Sequence, residues 1–318
     1  MPLTEKYVNP LTDFGFKKLF GEEVNKDLLI DFLNQLLPDI HKIKDLVYKK
    51  NEHLPDAEFE RKAIFDLYCE GLSGEKFIVE VQRAKQNYFK ERSVYYASFP
   101  IQQQAVKGAV WNFDLQAVYT IGILDFVFDE DKDDNNFLHT VKLKNQNNQI
   151  FYDKLTFIYV ELPKFIKTED QLTSKMDKWL FVFRHLAKLE HRPQALQEKI
   201  YEKLFKAAEI AKYSKKEQQT YAQSLKYYRD LNNVVDTAYD DGKIEGLKEG
   251  KIEGLKEGKM EGLKEGKMEG LKEGKIEGLK EGKVEGLKQA AKNLKLMGLD
   301  TAKIQEITGL SKTEIEKL

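Results

Sequence analysis

Asp66, Glu80 and Gln82 stand in two runs of strand-forming residues, 62–70 and 77–82, separated by Gly71, Ser73 and Gly74. Successive side chains of a strand point to opposite faces, so in Phe77-Ile78-Val79-Glu80-Val81-Gln82 the side chains of Glu80 and Gln82 share one face. The turn residues between the runs predict a hairpin, which sets Asp66 near Glu80. Two carboxylates held close repel each other unless a proton or a cation relieves them. Oxygen donors of this kind suit Mg²⁺ or Mn²⁺, with positions left for water and a substrate phosphate, and the chemistry such a site serves is metal-assisted phosphodiester hydrolysis. The same residue types also suit the solvated polar face of a hairpin, and spacing alone leaves both readings open.

The elements that must position these groups read as an α/β core. Lys26 to Leu37 carries apolar residues at helical spacing and stops at Pro38. A short strand is expected over 43–48, ahead of the hairpin. Residues 88–106 read as a helix lined by aromatics, and 115–128 as a nearly continuous apolar strand buried on both faces. An acidic loop follows at 129–136, a late strand at 157–162, and helical pattern from 172 to 228, with Trp179, Phe181 and Phe183 directed onto the core. The single cysteine, Cys69, excludes an internal disulfide and reads as a core filler behind the Asp66 strand. The five histidines lack metal-ligand spacing, no Ser/His/Asp or Cys/His set stands out, and there is no glycine-rich phosphate loop. With no secretory signal at the start and no apolar run of membrane-spanning length, a soluble cytoplasmic protein is expected.

Motifs in a fixed order carry a resemblance. They are Thr12-Asp13-Phe14-Gly15-Phe16-Lys17-Lys18-Leu19-Phe20-Gly21, Leu29-Ile30-Asp31-Phe32-Leu33-Asn34-Gln35-Leu36-Leu37-Pro38, Asp66, Glu80-Val81-Gln82-Arg83, and Phe89-Lys90-Glu91-Arg92-Ser93-Val94-Tyr95-Tyr96. Then come Gln104-Ala105-Val106-Lys107-Gly108, the strand from Val118 to Phe126, and Glu161-Leu162-Pro163-Lys164-Phe165. From about Asn9 to Leu186 the chain resembles the Rpn family of recombination-promoting nucleases and transposases, within the PD-(D/E)XK nuclease superfamily. The resemblance implies a restriction-endonuclease-like core, a mixed sheet flanked by helices. It implies that Asp66 and Glu80 bind Mg²⁺ or Mn²⁺ with the backbone carbonyl of Val81 as third protein ligand. Gln82 then stands where the superfamily has its lysine. A Gln amide can orient water and donate to a phosphate oxygen but carries no charge, so water activation leans on the cation. Lys17 and Lys90 are candidates for a lysine brought in from a helix. Asp13 matches a recurring acid of the family, either beside the metal ligands or as an N-cap assisted by Thr12.

The implied partner is DNA, yet the formal net charge is −1, with 52 Lys and Arg against 53 Asp and Glu. Contacts to phosphate must then come from local clusters. Arg83, Lys85, Lys90 and Arg92 follow the metal strand, and Lys42, Lys44, Lys49 and Lys50 precede the site. Solvated helix faces are the alternative for both clusters.

From Gly242 to Gly286 glycine recurs at every fourth position, twelve in all, within a Lys-Ile-Glu-Gly-Leu-Lys-Glu-Gly repeat. At roughly 1 kcal/mol per glycine relative to alanine, these residues weaken a helix by on the order of 10 kcal/mol. A period of four also exceeds the helical 3.6, so the glycine stripe winds around the helix. The repeat reads either as a weakly helical, solvated spacer or as a stalk on which copies of the chain associate. In the tail, Asp300 and Ser311 are expected to cap two short helices hinged by Gly309, a degenerate helix-turn-helix that suits packing better than DNA reading. The expected organisation is therefore a nuclease core over 1–186 and a helical subdomain packed on it over 187–240. The repeat over 241–288 and a small helical element over 289–318 complete the helical C-terminal extension. The expected function is divalent-metal-dependent DNA endonuclease action that promotes recombination or mobile-DNA transfer. The rivals are a DNA-binding or assembly protein without cleavage and a transposase that also joins strands.

Overall fold

The structure is a computed structural model that describes residues 4–38, 41–49, 65–105, 112–128 and 134–318. The chain divides into two compact units, Met1–Thr237 and Ala238–Leu318.

The first unit is built on a mixed sheet. Its strands are β1 (Leu46–Tyr48), β2 (Leu67–Gly71), β3 (Lys76–Gln82), β4 (Val118–Leu124), β5 (Leu138–Lys144) and β6 (Ile150–Glu161). Spatial order is β1-β2-β3-β4-β6-β5. β1, β2 and β3 pair antiparallel, β3, β4 and β6 run parallel, and β5 closes the far edge antiparallel to β6. The β2–β3 hairpin is the expected one, and every residue of β4 is buried, as its unbroken apolar run requires. Parallel β3, β4 and β6 present Gln82, Leu124 and Glu161 at the same, carboxyl-terminal edge. In open α/β sheets that edge is where ligands bind.

Helices cover both faces. α1 (Asp13–Phe20) and α2 (Lys26–Leu36) bury Phe16, Leu19, Phe20, Phe32 and Leu33 on one side. There they meet α4 (Lys175–His185) and α5 (Lys199–Ala208). Phe20, Phe32, Trp179 and Phe183 form the centre of this core, with ring centroids 4.9 to 6.2 Å apart. The indole of Trp179 donates to Asp31 Oδ1 at 2.8 Å, which satisfies the polar atom of an otherwise fully buried ring. α3 (Phe89–Gln102) lies on the opposite face, where Phe89 and Ala97 join Val118, Leu124, Phe128, Phe157 and Tyr159.

α6 (Lys215–Leu296) begins in the first unit and continues into the second. In the second unit it carries the whole glycine repeat as continuous helix, with residues 238–286 exposed. A Cβ placed on any of the twelve repeat glycines would meet no atom within 4 Å. The repeat is thus drawn as helix throughout, and no contact at the glycines offsets their low helix propensity. The end of α6 joins α7 (Thr301–Thr308) and α8 (Lys312–Glu316) in a small core of Ala291, Ile304, Leu310 and Ile315. Asp300 and Ser311 cap these two helices, and Gly309 ends α7 in the left-handed conformation, as expected.

Two strand expectations are corrected. The Asp66 strand starts at Leu67 rather than at residue 62, and residues 62–64 lie outside the described residues. The late strand is longer than expected, beginning at Ile150, and its partner β5 was not foreseen.

Candidate active site

The carboxyl-terminal end of β3 is the centre of the site. β2 pairs with β3 up to Leu67 opposite Val79, so Asp66, one residue earlier, stands across from Glu80. The Asp66 carboxylate accepts the Val81 backbone N–H at 2.7 Å. In a strand a residue's N–H and C=O leave on the same side, so the Val81 carbonyl also points toward the Asp66 segment. Glu80 is 8% exposed. Burial, and then the charge of Asp66, push its carboxyl up to about 7, while Arg92 opposes the shift. Burial likewise raises Asp66, against the Val81 hydrogen bond, with Asp13 adding repulsion and Lys17 and Arg83 relieving it.

A cleft of about 320 Å³ opens here, lined by Asp13, Asp66, Val81, Gln82, Arg83 and Gln86 together with Phe16, Tyr227 and Leu231. The first turn of α1 brings Asp13 to it. Thr12 is the N-cap, accepting from the Gly15 N–H at 3.0 Å and donating to the Asn9 carbonyl at 2.7 Å. Asp13 is therefore not the cap. It pairs with Lys17 at 2.8 Å. A Cβ at Gly15 would stand 2.0 Å from Asn9 O, so only glycine lets this turn close.

Arg83 lies with its guanidinium against the rings of Tyr227 and Tyr228, 5.8 and 5.6 Å from their centroids, within reach of the charges of Asp13 and Asp66. The Tyr228 hydroxyl donates to Asp125 Oδ2 at 2.8 Å, and the Asp125 N–H donates to the Gln82 carbonyl at 2.9 Å. Gln82 has both ends of its amide engaged: Oε1 accepts from Arg92 Nη2 at 2.6 Å, and Nε2 donates to the Ala84 carbonyl at 2.9 Å.

Comparison with protein-family profiles matches residues 10–238 to the PD-(D/E)XK nuclease family transposases. The chain belongs to that family. Comparisons with curated proteins and with solved structures give no match. The mixed sheet flanked by helices agrees with the fold expected of a PD-(D/E)XK protein, and membership makes the function nuclease- or transposase-related. Family members usually employ divalent metals, and their substrate class is DNA. None of the described helices is long and apolar enough to cross a membrane.

Of the residues that sequence singled out in this PD-(D/E)XK chain, the structure gathers Asp13, Asp66, Val81, Gln82 and Arg83 around one cleft, while Glu80 and Arg92 stand at the same strand end outside its lining. Lys17 reaches the neighbourhood through its ion pair with Asp13. Lys90 instead stands over the Phe128 ring at 4.8 Å, and neither it nor the exposed Lys85 lines the cleft. In the earlier basic cluster, Lys49 pairs with Glu70 at 2.9 Å and Lys42 donates to the Leu37 carbonyl, while Lys50 lies outside the described residues. Tyr227, Tyr228 and Asp125 were not anticipated. A lone acid closing the apolar run of β4 at the ligand-binding edge was the available signal for Asp125. No local signal marks the tyrosines, which reach the site from about 140 residues beyond β3.

The donor chemistry fits a hard divalent cation. Among the described residues no cluster of three or more His, Cys, Asp and Glu side chains is disposed to hold a metal. The oxygen donors on hand are the two carboxylates, which repel each other across the hairpin, and the Val81 carbonyl.

Proposed function

We propose that the protein is a divalent-metal-dependent DNA endonuclease, with Mg²⁺ or Mn²⁺ held by Asp66, Glu80 and the Val81 carbonyl. The observation that carries this reading is the register of the β2–β3 hairpin, which sets the half-buried Asp66 carboxylate across from the buried Glu80, in a chain of PD-(D/E)XK family. A divalent ion bound there supplies Lewis acidity and lowers the pKa of water. The residues themselves do the rest. Asp66 is oriented by the Val81 N–H, and Asp13, with its Lys17 partner, borders the cleft where the DNA backbone enters. Arg83 balances the acids from the other wall. The modest overall charge assigns DNA affinity to such local contacts rather than to a general field. Strand breaks made in this way promote recombination or transfer of mobile DNA.

The test is nicking of supercoiled plasmid by purified protein. Mg²⁺-dependent nicking that is lost in Asp66→Ala and Glu80→Ala supports the reading. DNA binding without nicking at any divalent-ion concentration favours the assembly-protein alternative. The family's transposase description favours one extension, that a freed 3′ end is joined to a second duplex; a strand-transfer product on donor DNA would establish it.

On organisation, the helical elements over 187–240 serve as a wall of the nuclease core through Tyr227, Tyr228 and Leu231. The repeat over 241–288 is a spacer, or a stalk joining copies of the chain, and the small helical element over 289–318 follows it.

A further inference from the structure

Metal-assisted phosphodiester cleavage builds negative charge on the phosphoryl oxygens, and a cation aimed at them raises the rate. Gln82 has no charge to give, and both ends of its amide are turned to protein partners. Lys17 is paired with Asp13, Lys90 stands over Phe128, and Arg83 is held between two tyrosine rings beside Asp13 and Asp66. Arg92 differs from all three. It projects from α3 toward Glu80, close enough for its charge to be felt there, and forms no ion pair with a carboxylate among the described residues. One guanidinium nitrogen donates to Gln82 and a second to Gln86, which itself lines the cleft. The Phe89 and Tyr96 rings, 5.5 and 5.9 Å away, flank the guanidinium. The Nε atom is buried with no hydrogen-bond partner. A donor buried without a partner costs stability, so its place in the fold is not explained by the contacts it makes there.

Resting on the nuclease reading, we propose that Arg92 supplies the positive charge that meets the scissile phosphate, and that Gln82 is a positioning residue that holds the guanidinium toward the metal-binding acids. Arg92 neither gains nor loses a proton in this role. Its N–H groups donate to a phosphoryl oxygen as the attacking water, giving up a proton to solvent, forms its bond to phosphorus and the bond to the leaving oxygen breaks, that oxygen taking a proton from solvent.

The test uses full-length protein and three readouts: single-turnover plasmid cleavage with Mg²⁺, affinity for a DNA duplex in Ca²⁺, and calorimetric Mn²⁺ affinity without DNA. Arg92→Ala is expected to slow cleavage by about 10²–10³-fold while DNA affinity changes by less than about threefold. Its Mn²⁺ affinity should hold or rise, because a positive charge near Glu80 has been removed. Arg92→Lys, which restores charge without the fork, should recover roughly a tenth of the rate or more. Gln82→Ala should slow wild-type cleavage by about tenfold and have no further effect in the Arg92→Ala background, the sign of residues acting as a unit. Cleavage by Arg92→Ala within about threefold of wild type would overturn the proposal, as would a loss confined to DNA affinity. Weakened Mn²⁺ binding would equally overturn it, by showing that Arg92 merely maintains the carboxylates. Wild-type protein that fails to cut defeats the nuclease reading itself, a result distinct from a cutting wild type whose Arg92→Ala variant cuts as well.

Discussion

Glu80 makes the metal-free protein sensitive to pH in a direction that can be worked out. Its carboxyl is pushed from an ordinary 4.5 up to about 7, first by burial and then by Asp66. Between those two values the folded protein keeps a proton that the unfolded chain has released, so stability falls as pH rises from about 4.5 through 7. At 1.36 kcal/mol per pH unit the full loss is about 3 kcal/mol, reached above pH 7. Glu80→Gln keeps the shape and removes the titration. In EDTA at pH 8 the variant should therefore unfold at higher urea than wild type, by up to about 3 kcal/mol, and the two should converge near pH 4. Mg²⁺ at pH 8 should then stabilise the wild type markedly and the variant little, because the ion binds the folded acids only. Equal urea midpoints for the two proteins from pH 5 to 8 in EDTA would refute the reasoning, for then Glu80 is not a buried, repelled carboxylate.

Further outcomes follow from other contacts. Asp177, 4% exposed, is raised by burial, but the Lys167 ammonium and the Ser174 and Thr173 donors outweigh that and hold it at about 2. Its contribution is present above pH 3.8 and lost as pH falls through 2, so Asp177→Asn should lose about 2 kcal/mol at pH 7 and nothing near pH 2, read by urea unfolding. Tyr228→Phe leaves the half-buried Asp125 carboxylate without its hydroxyl donor and should lower stability by about 1–2 kcal/mol. Gly15→Ala forces a Cβ onto Asn9 O and should lower the melting temperature by several degrees or prevent folding, together with metal-dependent nicking. In the repeat, Gly254→Ala, Gly262→Ala and Gly270→Ala enter open space, so the triple variant should raise the thermal stability of the helical signal by about 1 kcal/mol per site and leave nicking unchanged.

Local signals were legible in the sequence, and long-range ones were not. Pro38 stops α2, the Gly-Ser-Gly turn makes the hairpin, the apolar run makes β4, and Asp300 and Ser311 cap their helices, each through contacts within a few residues. β5 escaped notice because Leu138-His139-Thr140-Val141-Lys142-Leu143-Lys144 is a half-exposed edge strand without a clean alternation of buried residues. Thr12 and Asp13 are both good capping residues, and only the closeness of Asn9 decides for Thr12. Position along the strands foretold that Asp66 would face Glu80. That Gln82 would turn its amide oxygen to Arg92 could not be foretold, because α3 returns to β3 through an angle that no local pattern encodes. The same holds for Tyr227 and Tyr228, placed by the docking of α6.

The most direct test of the metal centre is anomalous diffraction from crystals soaked in Mn²⁺. A single strong peak within coordination distance of Asp66, Glu80 and the Val81 carbonyl is the expected result. Saturating Mn²⁺ with no peak there, or a peak bound to other residues while these two acids stay apart, would contradict the account.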